Sequence, residues 1–217
     1  VALAKQHDIT ITRGGRPRTA PVIQDSMIWG GGRSQSILNV VDISPCHYGV
    51  LLTAGTQSDL QLDLTKEALI AASEAARADG RACLSVAMQP RQGTIVYAAA
   101  FGPDKHGGRW QLYPEMARAQ YDALLHQAGS ARVMPVSLAS CHTDAGPLFT
   151  AVLADDGGRA WQALTALPQG EFMTRVQSLV KAGKCPAVLA CHDDRTDCVC
   201  SAVFVDLTPG TGLSAHI

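Results

Sequence analysis

The sequence predicts an α+β chain of four pseudo-repeats, each a helix followed by an antiparallel β-hairpin, packed as one compact or ring-like domain. Three observations predict it. Gly107-Gly108-Arg109-Trp110-Gln111 recurs as Gly157-Gly158-Arg159-Ala160-Trp161-Gln162. A helix-type segment ending near a glycine follows each copy. After the glycine comes an apolar strand ending in Cys-His, then a second strand.

The units follow in order. Residues 1–56 form a degenerate first unit. Its hairpin runs through Ile37–Ile43 and Tyr48–Leu52, with Cys46-His47 at the turn and no helix before it; Asp8–Thr12 reads as a separate strand. That strand is expected to pair with the last unit and cover an edge that would otherwise invite aggregation. The second unit, 57–105, places Leu60-Gln61 where Trp-Gln stands later. Its helix, Thr65 to Ala78, is rich in Ala, Glu and Leu, with Thr65 as N-cap, and Gly80 closes it. Strands at 82–88 and 95–100 complete the hairpin.

The third unit, 106–157, carries a helix from Met116 to Gln127, closed by Gly129, and strands over MPVSLASCH (134–142) and 148–153. The fourth, 158–208, carries a helix from Gly170 to Lys181, closed by Gly183, and strands over CPAVLACH (185–192) and 202–205. All three closing glycines are expected at the left-handed position after the helix. Residues 209–217 read as a flexible tail. One helix and one hairpin bury too little alone, so neighbouring units must cover each other. Trp110 and Trp161 are expected to plug the seams between units.

Composition excludes several functions. Hydrophobic residues make up 47% and charged residues 17% of 217, so the chain is globular and long enough for a sizeable core. Net charge is −1 with no basic block, which argues against nucleic acid as a partner. No apolar run approaches a membrane span of about 20 residues, so a soluble protein is expected, its compartment unspecified. The chain starts at Val1 with no targeting segment, which predicts a processed product or a piece of a larger protein.

The strand–Gly-Gly-Arg–Trp–helix–Gly–strand pattern over residues 48–206 resembles bacterial tandem repeats found beside β-lactamase-like serine hydrolases. It is similar also to the N-terminal domains of polyglycine hydrolases and to modules appended to some bacterial serine/threonine kinases. In that family catalysis belongs to the attached domain, so the resemblance implies an accessory or recognition domain binding a polymer or protein. Here Cys-His and Met-Gln stand where the family carries aromatic residues.

No catalytic residue and no cofactor site is assigned, and the enzyme question leans to no. Gly-x-Ser-x-Gly and a phosphate-binding loop are both missing. Cys46-His47, Cys141-His142 and Cys191-His192 are the pairs with chemistry to weigh. A metal set of Cys141, His142, Cys191, His192 and His47 would take zinc if the turns converged. Against this, adjacent strand residues face opposite ways, and Pro135 to Cys141 is one residue longer than Pro186 to Cys191. The alternative functions are a metal- or cysteine-dependent hydrolase using these turns, and a structural subunit of an assembly. A turn over Asp193–Thr196 that pairs residue 192 with 197 would set Cys191 opposite Cys198 as a candidate disulfide. Asp155-Asp156 and Asp193-Asp194 read as turn residues.

Overall fold

The computed structural model describes residues 9–13, 16–17, 41–43, 47–49, 58–194 and 197–206, with side chains from residue 59 onward. Cys46, the side chain of His47, Arg195-Thr196 and the tail 209–217 lie outside the described residues.

The backbone there is mostly β, not an even α+β mixture. Strands β1 (Ile9–Arg13), β2 (Arg16–Pro17), β3 (Val41–Ile43) and β4 (His47–Gly49) come first. Three like-built units follow. Unit 1 is β5 (Ser58–Leu64), α1 (Lys66–Ala78), β6 (Arg81–Arg91) and β7 (Thr94–Pro103). Unit 2 is β8 (Trp110–Ala117), α2 (Arg118–Ala131), β9 (Val133–Thr143) and β10 (Gly146–Asp155). Unit 3 is β11 (Trp161–Pro168), α3 (Gln169–Lys181), β12 (Lys184–Asp193) and β13 (Cys198–Asp206). In each unit the last strand is central, flanked by the other two in antiparallel order.

Four helix–hairpin repeats in a ring are therefore overturned. Each unit is a three-stranded sheet with one helix, and the described residues contain three such units. The segment before each helix, expected to lie outside the hairpin, is itself a strand of the sheet. The hairpin recruits it because a two-stranded ribbon is marginal and a third strand completes a face. The β3–β4 hairpin is present where residues 37–52 predicted one, with Ile43 opposite His47. Strand β1 pairs in parallel with β5 of unit 1, not with the last unit.

Register fixes which residues are equivalent. Trp110 and Trp161 stand eight residues before their helices, and Ser58 stands at that distance before α1, so Ser58 and not Leu60 is the counterpart of the tryptophans. Leu60, Leu112 and Ala163 correspond instead, opposite Ala100, Val152 and Val203. Each first strand breaks register near its end, and a non-glycine residue there takes positive φ: Asp63 (54°), Glu115 (51°) and Ala166 (45°). Such bulges turn the strand toward its helix.

Helix ends follow local chemistry. Thr65 Oγ1 accepts from the Ala68 amide at 3.2 Å. Gly80 and Gly183 take left-handed φ after α1 and α3, but Gly129 lies inside α2. Arg132 takes the left-handed position there (φ 57°), its amide donating to the Ala128 carbonyl. The next residue, Val133, must start β9, so tertiary pairing carries the helix past the glycine.

In each unit the helix covers one sheet face: Leu69 and Ala76 pack on Tyr97, Ala99 and Phe101; Tyr121 on Phe149 and Ala151; Phe172 and Val176 on Cys200, Ala202 and Phe204. We call this face the rear. The helix leaves the hairpin's outer strand partly uncovered, and the front face of the next unit fills that gap. Ala139, Cys141, Val152 and Ala154 of unit 2 join the core of unit 1, while Val188, Ala190 and Trp161 of unit 3 pack on that of unit 2. The units thus stack in sequence.

Candidate functional site

The two seams are built to one plan with different chemistry. At seam 1, Trp110 is buried against α1. The Arg77 guanidinium lies 4.6 Å from its ring centroid and donates to the Trp110 carbonyl at 2.6 Å. The Val86 amide, on the outer edge of β6, donates to Ser137 Oγ of unit 2 at 2.9 Å. Deeper in the seam, Tyr97 Oη donates to Glu115 Oε1 at 2.7 Å and Lys66 Nζ donates to Oε2 at 2.9 Å. The Glu115 amide donates to Thr150 Oγ1, a buried hydroxyl that holds the bulge.

Burial alone would raise the Glu115 carboxyl. The hydrogen bonds from Tyr97 and Lys66, with the Lys66 charge, outweigh it and hold the carboxyl below the usual range. Tyr97 is pushed upward, by desolvation first and then by Glu115. The network sets a partly exposed ion pair at the border of the apolar contact.

At seam 2 the equivalents of Tyr97 and Glu115 are Phe149 and Ala166, and this bridge is gone. The Ala166 amide still has its hydroxyl, Ser201 Oγ at 2.8 Å. The polar link moves instead to Ser140 and His192, whose Oγ and Nδ1 are 2.8 Å apart. The His192 ring also meets Phe149 edge-on at 6.3 Å and stacks with His142 at 6.4 Å. Burial, then the neighbouring His142, lowers the His192 pKa against the pull of Asp193 and Asp194.

These contacts answer the Cys-His question. Ser140 pairs with Phe149 and Cys191 with Cys200, while Cys141 pairs with Leu148 and His192 with Val199. Ser140 is therefore the counterpart of Cys191, and Cys141 of His192. The two Cys-His dipeptides are offset by one residue and present their thiols to opposite faces. Cys141 is buried, and desolvation followed by the Glu115 charge pushes its thiol up to about 11. An activated cysteine nucleophile needs the opposite shift. Ser140 with His192 has the spacing of a nucleophile and base, but the seam buries the hydroxyl from any substrate.

Of the expected metal set, the His47 side chain lies outside the described residues, and no three of Cys141, His142, Cys191 and His192 lie close enough to share one ion. His142 and His192 come together, yet among the described residues the group of three ligand atoms close enough for one ion is Cys191, Cys198 and Cys200. Cys198 was missed as a ligand candidate because only Cys-His adjacency was weighed, although its i, i+2 spacing to Cys200 places both on one face. The disulfide also differs from expectation. It joins Cys191 to Cys200, with Cα atoms 4.2 Å apart, because the register sets Asp193 opposite Cys198 and so moves Cys191 two residues along β13.

Asp155 and Asp156 accept from the amides of Gly157 and Gly158, serving the turn. Trp161 packs in both the unit 2 core and the unit 2–unit 3 contact.

The rear of unit 3 is where the plan breaks. Val86, Leu138 and Leu189 occupy equivalent positions opposite Ala99, Ala151 and Ala202. Val86 is 4% exposed and Leu138 6%, each covered by the following unit, but Leu189 is 57% exposed. Pro186 and Cys191 are exposed as well, where Pro135 and Ser140 are buried. Among the described residues, no helix is long and apolar enough to cross a membrane. No protein-family model matches the chain, and no curated protein matches it in sequence.

Proposed function

We propose that this chain is a non-catalytic docking module whose binding face is the rear of unit 3. One observation carries the reading: Leu189 is open at a position that both earlier units bury against a neighbour. The partner it fits is a protein presenting what units 2 and 3 present at the seams, a sheet face of small side chains with an aromatic residue at its lip to lie on the helix. An accessory role of this kind agrees with the resemblance to tandem-repeat domains that serve an attached or associated enzyme. The buried seam hydroxyl of Ser140 and the raised Cys141 thiol favour it over a hydrolase.

A photoreactive amino acid placed at Leu189, with Glu74 on the exposed side of α1 as control, tests the reading in the source cells. The expected result is one discrete cross-linked protein from position 189 and none from 74. It should be abolished by Pro186→Asp at unchanged thermal stability. Cross-linking that is equal at both sites, or indifferent to Pro186→Asp, would sink it. A structural subunit would instead co-purify at fixed stoichiometry before any cross-linking.

A further inference from the structure

Three thiol positions converge at the end of the stack. Cys191 and Cys200 are register partners on β12 and β13, and Cys198 precedes Cys200 by two residues, so all three leave the hairpin from its rear face. Their sulfurs lie within 4.8 Å of one another, and Cys198 Sγ is 3.8 Å from Cys200 Sγ. Two thiolates bound at about 2.3 Å to a tetrahedral zinc ion stand about 3.8 Å apart. The spacing already matches for Cys198 and Cys200, and Cys191 Sγ, bonded to Cys200 Sγ, lies within 4.8 Å of Cys198 Sγ. Cys191 is exposed and Cys198 half-buried, so an ion and its water have an approach from solvent.

We propose that reducing the Cys191–Cys200 disulfide creates a zinc-class site in which Cys191, Cys198 and Cys200 are the three protein ligands and water takes the fourth position. The redox step needs a two-electron reductant, a dithiol or a phosphine. The S–S bond breaks and two electrons and two protons pass to Cys191 and Cys200; a dithiol supplies both and becomes a disulfide, whereas a phosphine supplies the electrons and water the protons and the oxygen of the phosphine oxide. Metal binding then displaces the thiol protons. In the oxidised chain two of the three ligands are bonded to each other and the site is closed. Zinc is favoured over magnesium or calcium because soft thiolates select it. The site is independent of the docking reading, since it requires only the hairpin.

Cobalt(II) is the probe. The full chain is reduced with a phosphine, desalted under inert gas, and titrated with Co²⁺ and then Zn²⁺. The expected result is thiolate-to-cobalt absorption with tetrahedral d–d bands, saturating at one equivalent per chain, displaced by zinc and lost in denaturant. Oxidised protein gives no such spectrum. Cys198→Ser, which keeps the disulfide and can be checked for folding in the oxidised state, should bind more than about 100-fold more weakly after reduction. Cys185→Ser should be unchanged. The proposal fails if reduced wild type gives no tetrahedral thiolate spectrum, if oxidised protein binds equally, if Cys198→Ser retains the affinity, or if the spectrum survives denaturant.

Discussion

Leu138 and Leu189 are the same side chain at the same place in two successive units, which makes truncating each to alanine a direct measure of what the next unit contributes. Leu138 is packed among Phe149, Ala151 and Ala190, so Leu138→Ala removes a fully buried side chain and leaves a cavity. Such substitutions cost about 2–5 kcal/mol. Leu189 is 57% exposed, so less than half of its transfer energy is realised and no closed cavity forms. Full burial of leucine is worth about 2–3 kcal/mol, which leaves about 1 kcal/mol or less for Leu189→Ala. In a domain of this size each kcal/mol moves Tm by about 2–4 °C. Urea melts of the purified protein followed by circular dichroism should separate the two variants by at least about 1 kcal/mol at unchanged m-value. Equal costs would refute the reasoning, because they would mean that the rear of unit 3 is covered within the monomer.

Other perturbations probe the seams. Glu115→Gln keeps the shape and loses the charge held by Lys66 and Tyr97, at a cost of about 1–2 kcal/mol at neutral pH for a partly exposed pair. The Glu115 carboxyl is depressed on folding, so its contribution is present above the ordinary carboxylate pKa and is lost as pH falls through the folded value. Melts at pH 7 and near pH 3 should show the wild-type advantage shrinking in acid, and a pH-independent gap would contradict this assignment. Ser201→Ala leaves the half-buried Ala166 amide of the bulge without its acceptor and should cost about 1 kcal/mol, measured by urea titration; no loss would mean that the hydroxyl is dispensable there. Trp110→Ala should cost about 3–5 kcal/mol, and Arg77→Ala should cost less in that background than in the wild type, because the ring contact is gone while the hydrogen bond to the residue 110 carbonyl remains. A double-mutant cycle showing full additivity would remove the Arg77–Trp110 contact from the account.

The repetition was legible in the sequence because local chemistry marks it. Thr65 caps α1 with its own side chain, the Gly-Gly pairs at 107–108 and 157–158 take positive φ in the loops before the first strands, and the hairpins are short apolar runs whose central strands are buried on both faces. Three features were hidden for identifiable reasons. The first strand of each unit is short, and its bulge at Asp63, Glu115 or Ala166 breaks the period of two that marks a strand. Gly129 has the look of a helix end but sits a turn early, because β9 begins only at Val133. The Cys-His dipeptides matched by eye, whereas the prolines were the better anchors: Pro135 to Ser140 and Pro186 to Cys191 are both five residues and are true counterparts. The site at 191, 198 and 200 needed the β12–β13 register, which the assumed turn misplaced by two residues.

The equivalent positions also show why the third unit differs from the others. Two places on the rear face reach across each seam. At seam 1 the residue on the central strand, Tyr97, makes the link to Glu115, and its cross-strand partner Met88 is apolar. At seam 2 the roles exchange: Phe149 is apolar and its partner Ser140 makes the link to His192. In unit 3 the same two places are Cys200 and Cys191, and they bond to each other. The side chains that elsewhere hold the next unit are here tied together within one hairpin. Oxidation therefore leaves a face defined by Leu189 and Pro186, while reduction returns two thiols to the positions that bridge every other seam. The chemistry of the end face is thus set by the redox state of one bond.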